Sequence, residues 1–325
     1  MRKGFVYITI ILVVLFLFAI GSSYGENKKA FPEKPINIIV PWAVGGGTDI
    51  SARFLAQHLS EYLGVPVVVL NKAGGTGVVG SLELANAAPD GYTIGQLSTA
   101  VQTTQYTSEQ PTDRNDYDYI IGVYVEPFTI TVRADSPWKT LDEYIKYAKE
   151  NPGKIRTSSS GASSTDKMVA AALEKKAGIQ LTHIPYKGYG PAVTGLLSGE
   201  VESNSSPIGN VYEYVRSGDL RILALSSSKR INIAPNTPTF IEQGIDLQWG
   251  GYNGILGPKG IPEDVLETLR DACRKIYATE EWQDFLKNRV VEPFVLEGQE
   301  FKDYVDKLDV ELKALLEEAG LVVNK

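Results

Sequence analysis

Residues 36–62 read INIIVPWAVGGGTDISARFLAQHLSEY and place a strand, a glycine loop and a helix in immediate succession. The apolar run from Ile36 to Val40 predicts a buried strand that ends at Pro41. Thr48 or Asp49 is a suitable N-cap for the following helix, whose apolar residues recur with helical spacing. A strand that runs through a glycine loop into a helix is the first half of a β–α–β unit, so an α/β fold is expected.

The same pattern recurs further along the chain. Val65 to Leu70 predicts a second strand, followed by a glycine loop at residues 74–80 and another helix. A turn at residues 89–91 precedes a third strand from Tyr92 to Leu97. In the second half a Ser/Gly loop at residues 159–164 joins a predicted strand to a predicted helix, and the C-terminal third reads mainly as helix. This succession predicts mixed or mostly parallel sheets with helices on their faces.

The N-terminus has the three features of a secretory signal peptide. Two basic residues precede an apolar run from Phe5 to Ile20, and small or polar residues follow at positions 21–25. The run is shorter than the roughly 20 apolar residues that a membrane-spanning helix needs, so cleavage between Gly25 and Glu26 is favoured over a retained anchor. The mature protein is therefore predicted to be periplasmic or otherwise extracytoplasmic.

The composition argues against several classes of function. The formal charge is −7 for the whole chain and becomes −9 when residues 1–25 and their two basic residues are removed, so nucleic-acid binding is not expected. Cys273 is the only cysteine, which excludes an intramolecular disulfide, and its place on an apolar helix face favours packing over reactivity. With His58 and His183 as the only histidines, no transition-metal site is expected.

Two loops of the predicted fold have the chemistry of an anion-binding site. Residues 45–49 and 159–164 are small and lead into helix N-termini, where backbone N–H groups and the positive end of the helix dipole are available. Facing each other across a cleft, the loops would hold a carboxylate without any arginine. Such loops are also ordinary α/β connections, so the pattern alone does not establish a binding site.

Several short segments are similar to segments of a known protein family, and they follow one another in order from about Pro35 to Pro262. The segments are IVPWAVGGGTD (39–49), NKAGG (71–75), PDGYT (89–93), HIPYKG (183–188), LAL with KR (223–225 and 229–230), PT with EQG (238–239 and 242–244) and GILGP (254–258). Together they resemble the tripartite tricarboxylate transporter substrate-binding family, also called the Bug family, over essentially the whole mature chain.

The resemblance implies a periplasmic-binding-protein fold of type II, an α/β fold with two lobes around central sheets and a ligand cleft between them. We place the two crossings between the lobes near Glu126 and Gly250. Lobe 1 then comprises residues 26–125 plus 250–325, and lobe 2 comprises residues 126–249. The resemblance implies neither catalysis nor a cofactor, and it implies a small organic carboxylate as the ligand.

The ligand-binding residues that the resemblance implies come from both lobes. Asp49 is interpreted as a cap that stiffens its loop, since a carboxylate in contact with an anionic ligand would repel it. Asp166 stands near the start of the following lobe-2 helix, where it would weaken anion binding if it faced the cleft. The complete set is Trp42, Gly45, Gly46, Gly47, Thr48, Asp49, Ser98 and Thr99 in lobe 1, and Ser159, Ser160, Gly161, Ser163, Ser164, Tyr186, Ser205 and Ser206 in lobe 2.

The function that the resemblance implies is transport. The protein would act as a monomer that captures a di- or tricarboxylate, an acidic amino acid or an aromatic acid, and delivers it to integral-membrane transporter subunits. A ligand sensor that docks on a receptor kinase would use the same cleft and stays an alternative. A nucleotide-dependent oxidoreductase is the enzyme-class alternative, because Gly75 to Gly80 fits GxGxxG. It is disfavoured because Asn71 to Gly74 separate the motif from its strand.

Overall fold

Strands and helices alternate through most of the residues that the computed structural model describes, which are 31–109, 112–162, 164–318 and 322–323, with 76 and 318 described by their backbone alone. The predicted signal peptide and Ser163 lie outside these ranges. The strands are β1 (Ile36–Val40), β2 (Val67–Asn71), β3 (Thr93–Ser98), β4 (Tyr117–Pro127), β5 (Thr129–Arg133), β6 (Arg156–Ser159), β7 (Thr182–Pro185), β8 (Ser203–Asn204), β9 (Leu220–Leu225), β10 (Gly250–Pro258) and β11 (Glu292–Pro293). The helices are α1 (Gly47–Leu63), α2 (Val78–Ala85), α3 (Thr99–Thr107), α4 (Leu141–Glu150), α5 (Thr165–Ala177), α6 (Tyr189–Ser198), α7 (Tyr212–Ser217), α8 (Glu263–Tyr277), α9 (Glu280–Arg289) and α10 (Gly298–Glu318).

The segment at residues 36–62 forms the expected strand–loop–helix unit. The N-cap expected at Thr48 or Asp49 is wrong, because the helix begins at Gly47 after the N-cap Gly46. β1 is hydrogen-bonded in parallel to β2 on one side and to β3 on the other, and Ile36, Ile38 and Val40 are fully buried. A parallel strand with helices on both faces of its sheet is buried on both faces, which explains its unbroken apolar sequence. α1 ends at Gly64, which has a φ of 70° and donates its N–H to the Ser60 carbonyl at 3.1 Å. This left-handed cap position favours glycine.

The first sheet is mixed and has the strand order β11-β4-β10-β3-β1-β2. β2, β1 and β3 are parallel, whereas β10 is antiparallel to both β3 and β4, and β11 is antiparallel to β4. The sequence did not predict β4, β10 or α3. The first two pair with each other across more than a hundred residues of sequence, and α3 is rich in threonine, which has a weak intrinsic preference for helix.

The second sheet has the strand order β7-β6-β8-β5-β9. β6 is parallel to β7 and β8, while β5 is antiparallel to β8 and β9. The chain enters this sheet between Pro127 and Thr129 and leaves it between Leu225 and Gly250. The expected α/β architecture, with two lobes that each surround a sheet, is confirmed. The assignment of individual residues to lobes 26–125 plus 250–325 and 126–249 stays a prediction.

Helix α10 packs on the cores of both lobes. Phe301, in its first half, lies in the apolar cluster beneath the first sheet. Leu312 and Leu316, in its second half, lie in the cluster of the second sheet. An ion pair between Lys176 of α5 and Glu311, with N···O 3.0 Å, joins the same half to the second lobe. The apolar stripe that the sequence shows along this helix therefore serves two separate cores.

The other C-terminal helices cover the first sheet. Val265, Leu269, Cys273 and Ile276 share the apolar face of α8 and are buried, as the helical spacing predicted. Burial raises the pKa of the Cys273 thiol to about 12, so this thiol is a packing group and not a nucleophile. Of the helices in the described residues, none has the length and hydrophobicity required to cross a bilayer.

Candidate functional site

The loop between β1 and α1 is braced by Asp49, in the first turn of α1. The carboxylate accepts hydrogen bonds from Gly45 N at 2.8 Å, Arg53 Nε at 3.1 Å and Asn71 Nδ2 at 2.9 Å. Burial alone would raise the pKa of Asp49, but hydrogen bonds from Arg53, Gly45 and Asn71 outweigh it, and the net pKa is lowered. Asp49 therefore remains ionised and holds the loop from within.

The loop between β6 and α5 is braced in the same way by Asp166. Its carboxylate accepts hydrogen bonds from Ser160 N at 2.7 Å and from Ser160 Oγ at 2.8 Å. Asp166 is fully buried, and burial raises the pKa of its carboxyl even though hydrogen bonds from Ser164 and Ser160 favour the ionised form. Asp166 points into the loop, so the repulsion of an anion that the sequence suggested does not arise from direct contact.

The glycines of the segment at residues 75–80 have packing roles. A Cβ atom on Gly77 would stand 3.2 Å from the ring of Trp42, and one on Gly80 would stand 2.8 Å from Pro41 Cα. Glycine at these positions lets α2 begin directly against the loop that follows β1. The spacing that resembles a dinucleotide motif is thus explained by the packing of α2.

A cavity of about 640 Å³ lies between the two Asp-braced loops. Four helices begin at it, because Gly47 of α1, Thr99 of α3, Thr165 of α5 and Tyr189 of α6 all line the cavity. The N-cap residues of α1 and α5 do not cap their helices with side chains, which leaves backbone N–H groups available to a ligand. The other lining residues are Trp42, Gly46, Thr48, Ser98, Ala100, Thr103, Thr104, Thr107, Tyr124, Glu126, Phe128, Ser160, Gly161, Ser164, Asn210, Gly251, Tyr252, Asn253 and Arg289.

The structure brings most of the expected ligand-binding residues to this cavity. Those that line it come from both loops and from the end of β3. They are Trp42, Gly46, Gly47, Thr48, Ser98, Thr99, Ser160, Gly161 and Ser164. The expected residues that do not line it, among those that the structure describes, are Gly45, Asp49, Ser159, Tyr186, Ser205 and Ser206. Ser163 lies outside the described residues.

Three of the lobe-2 residues point into their own lobe instead. The ring of Tyr186 packs against Gly195 of α6, where a Cβ atom would stand 2.7 Å from the tyrosine Cζ. Ser205 Oγ donates a hydrogen bond to the Asp166 carbonyl at 2.9 Å, and Ser206 is fully buried. Packing within the second lobe therefore sets the direction of these three side chains, which do not reach the cavity.

Arg289 is a cavity residue that the sequence analysis missed. It is the last residue of α9, and Val290 ends the helix with a φ of 59°. Its Nη2 lies only 2.8 Å from the point that a Cβ atom on Gly47 would occupy, so the guanidinium packs against the first loop. Its Nε has no hydrogen-bond partner in the described part of the chain. Arg289 thus adds a basic side chain to the cavity, and no local motif marks it. That the loops hold a carboxylate without any arginine stays a prediction.

Glu126 is the one acidic residue that lines the cavity within the described chain. It lies on β4 opposite Gly251 of β10 and is half-buried. Burial raises the pKa of its carboxyl, and the charge of Arg289 offsets part of this effect. Burial also raises the pKa values of the Tyr124 and Tyr189 phenols, and the negative charge of Glu126 raises both pKa values further. Both hydroxyl groups thus remain protonated at neutral pH.

Replacing Glu126 by glutamine is expected to stabilise the fold at pH 7. The pKa of Glu126 is raised in the folded protein, so between the pKa values of the unfolded and folded states the folded protein binds more protons than the unfolded chain. The free energy of unfolding therefore falls as the pH rises from the unfolded-state pKa through the folded-state pKa. The gain from E126Q should be about 1–3 kcal/mol at pH 7 and should vanish below about pH 4, where the carboxyl is protonated in both states. Urea denaturation at the two pH values measures it.

The control for this prediction is Glu150→Gln at the exposed end of α4. This variant should change stability little at either pH. A gain from E126Q of equal size at pH 4 and pH 7 would show that the carboxyl group of Glu126 is not destabilised by ionisation.

The histidines lie apart from the cavity. His183 Nε2 is 2.6 Å from Glu174 Oε2, and His58 packs against Phe54 with ring centroids 4.5 Å apart. Within the described residues no three His, Cys, Asp or Glu side chains are grouped so that they could hold a metal ion. The polar groups of the cavity are therefore the helix N-termini, hydroxyl groups, the amides of Asn210 and Asn253, Arg289 and Glu126.

Comparison with known proteins identifies the family. Residues 51–321 match the family described as "Tripartite tricarboxylate transporter family receptor". The chain belongs to this family. A Cupriavidus necator protein, "UPF0065 protein in gbd 5'region", is 36% identical over 292 residues, which cover 90% of this chain and 89% of the relative. The resemblance seen in the sequence is thereby confirmed.

Solved structures of the family share the fold. A TctC solute-binding protein from Polaromonas superposes with a TM-score of 0.82 at 33% identity and covers 89% of this chain and 99% of its own. The periplasmic binding protein BugD superposes with a TM-score of 0.71 at 30% identity, and the match covers 90% of this chain and 99% of BugD. The chain is thus a periplasmic solute-binding protein of the TctC type with the expected two-lobe fold. The family consists of binding proteins, and it implies a location outside the cytoplasm.

Proposed function

We propose that this protein captures a small organic carboxylate between its lobes and delivers it to the membrane subunits of a tripartite tricarboxylate transporter. The convergence of four helix N-termini on one cavity supports this function most directly. Each N-terminus carries a partial positive charge of roughly half an elementary charge, together with unpaired N–H donors. Arg289 adds a full positive charge beside Gly47. Such a cavity favours an anion whose oxygens accept several hydrogen bonds.

The size of the cavity and two structural neighbours support a ligand of this class. A volume of about 640 Å³ lies within the usual range of small-molecule sites. One neighbour from Rhodopseudomonas palustris was solved with adipate and another with malate, each 23% identical to this chain. These two proteins bind dicarboxylates within the same fold, and a carboxylate is the group that the helix N-termini of the present cavity would accept.

Capture would be coupled to lobe closure. α1 and α3 pack against the first sheet, whereas the N-terminal residues of α5 and α6 reach the cavity from the second. A ligand that contacts both pairs of helices binds the closed arrangement more tightly than the open one. It therefore shifts the equilibrium towards closure by the difference between the two affinities.

Thermal unfolding of the mature protein with a panel of mono-, di- and tricarboxylates tests the binding step. At a concentration 100 times its dissociation constant, the captured acid should stabilise the protein by about 2.7 kcal/mol. NAD and NADP serve as the contrast, since the oxidoreductase alternative expects them to stabilise the protein. Stabilisation by a nucleotide alone would refute the proposed function.

Uptake by cells tests the delivery step. Deleting the gene should abolish uptake of the acid that the purified protein binds, and a plasmid copy should restore it. Unchanged uptake together with a lost transcriptional response to the acid would instead favour the sensor alternative.

A further inference from the structure

Glu126 stands in a cavity that is otherwise suited to an anion. The N-termini of α1, α3, α5 and α6 and the guanidinium of Arg289 all favour negative charge there. A carboxylate among them repels an anionic ligand unless a positive group or strong donor lies between the two. The other acids near the loops do not present this difficulty, since Asp49 and Asp166 accept hydrogen bonds from their own loops.

The carboxylate of Glu126 has no hydrogen-bond or ion-pair partner among the described residues. Arg289 is near enough to lower its pKa electrostatically but forms no salt bridge with it, and the Arg289 Nε is itself without a partner. The residue opposite Glu126 on the neighbouring strand is Gly251, which has no side chain that could cover the carboxylate. An acid and a base thus face the same cavity separately. The acid lacks a partner from the described chain, and the guanidinium of the base lies over the Phe285 ring, 5.9 Å from its centroid.

We propose that the captured ligand carries a cationic amino group in addition to its carboxylate, and that Glu126 binds this amino group. This inference rests on the proposed function and deepens it by naming the ligand class, an amino carboxylate. The ligand carboxylate would lie at the helix N-termini and Arg289, and the ammonium would lie at Glu126. When a ligand displaces water from the cavity, a buried carboxylate without a partner is costly, and an ammonium group removes that cost.

The position of Glu126 would place the amino group of the ligand where the two lobes meet when they close. Glu126 lies next to the end of β4, where the chain crosses from the first sheet into the second at Pro127. Tyr189 reaches the same part of the cavity from the second lobe, close enough for the charge of Glu126 to act on its phenol. An ammonium group held by Glu126 therefore lies where both lobes meet, and a ligand without this group would leave Glu126 unpaired as the lobes close.

Isothermal titration with matched pairs of ligands tests the proposal. Each pair consists of an amino acid and the acid that lacks its amino group, namely aspartate and succinate, glutamate and glutarate, and 4-aminobutyrate and butyrate. In at least one pair the amino member should bind the wild-type protein roughly tenfold or more tightly than its partner. Glu126→Gln should remove most of this preference and leave the affinity for the deaminated acid unchanged or improved.

Glu292→Gln is the matched control, because Glu292 is a half-buried acid on β11, a strand that pairs with β4, and does not line the cavity. It should keep the wild-type preference. Because E126Q is expected to be at least as stable as the wild type at pH 7, its melting curve shows whether the variant is folded. A loss of binding by a folded variant is then not caused by unfolding.

The outcomes separate this inference from the proposed function. The inference alone is overturned if at least one of these acids binds but no amino member binds more tightly than its deaminated partner. A preference that survives E126Q overturns it as well. Failure of both members of every pair to bind counts against the proposed carboxylate function itself.

Discussion

Replacing Arg289 by glutamine is expected to weaken binding of the captured carboxylate by about 10- to 100-fold. A hydrogen bond to a charged group contributes roughly 1.5–3 kcal/mol, and Arg289 is the one basic residue that lines the cavity in the described chain. Its guanidinium already lies against Gly47, so binding needs little rearrangement of this side chain. Isothermal titration with the tightest acid of the panel measures the change.

Two further variants separate the charge of Arg289 from its shape. Arg289→Lys keeps a positive charge but not the planar fork, so its affinity should fall between those of the wild type and R289Q. Lys287→Gln removes a charge from the same last turn of α9 at an exposed position and should leave the affinity unchanged. Equal affinities of R289Q and the wild type would show that the helix N-termini hold the carboxylate without the arginine.

Replacing Gly122 by alanine is expected to destabilise the first lobe by about 3 kcal/mol or more. A Cβ atom at this position of β4 would overlap both the ring and the carbonyl oxygen of Phe294. The backbone at Gly122 cannot move away without cost, because Gly122 N donates to the Leu296 carbonyl at 2.8 Å and Tyr277 Oη donates to Gly122 O at 2.8 Å. Equilibrium denaturation in urea measures the loss.

Gly190→Ala is the control for this loss of stability. Gly190 lies in the first turn of α6, and a Cβ atom there would meet no atom within 4 Å. Alanine favours helix over glycine, but Pro191 disfavours helical geometry at a preceding residue that carries a Cβ atom, so this variant should change stability by no more than about 1 kcal/mol. A loss of the same size in both variants would mean that the cost at Gly122 arises from the unfolded chain and not from the overlap with Phe294.

The parts of the site that could be predicted from the sequence are local. The loop after β1 has three consecutive glycines, and its bracing acid, Asp49, is four residues from Gly45, whose amide donates to it. The second loop is similar, with Ser160 and Asp166 six residues apart. Contacts over so short a separation depend little on the rest of the fold, so the sequence alone is enough to predict the two loops and the helices that follow them.

The charges of the cavity could not be predicted in this way. Glu126 lies on β4 and Arg289 ends α9, two elements that the sequence analysis did not recognise. Tyr186 lies within the recognisable HIPYKG segment, yet its ring packs against Gly195 of α6, a helix that contacts β6. Which side chains face the cavity is thus decided by packing between elements that are distant in sequence.

The sequence by itself determined that this chain is an α/β protein, that two loops with small residues lead into helix N-termini, and that the family binds solutes. Strand, loop and helix patterns repeat along the chain and are encoded by neighbouring residues, which is why they can be read directly. Only the tertiary structure placed Arg289 against Gly47 and left Glu126 opposite Gly251 with no partner in the described chain. Their positions follow from the pairing of β4 with β10 and from the packing of the C-terminal helices, both of which join residues far apart in the sequence.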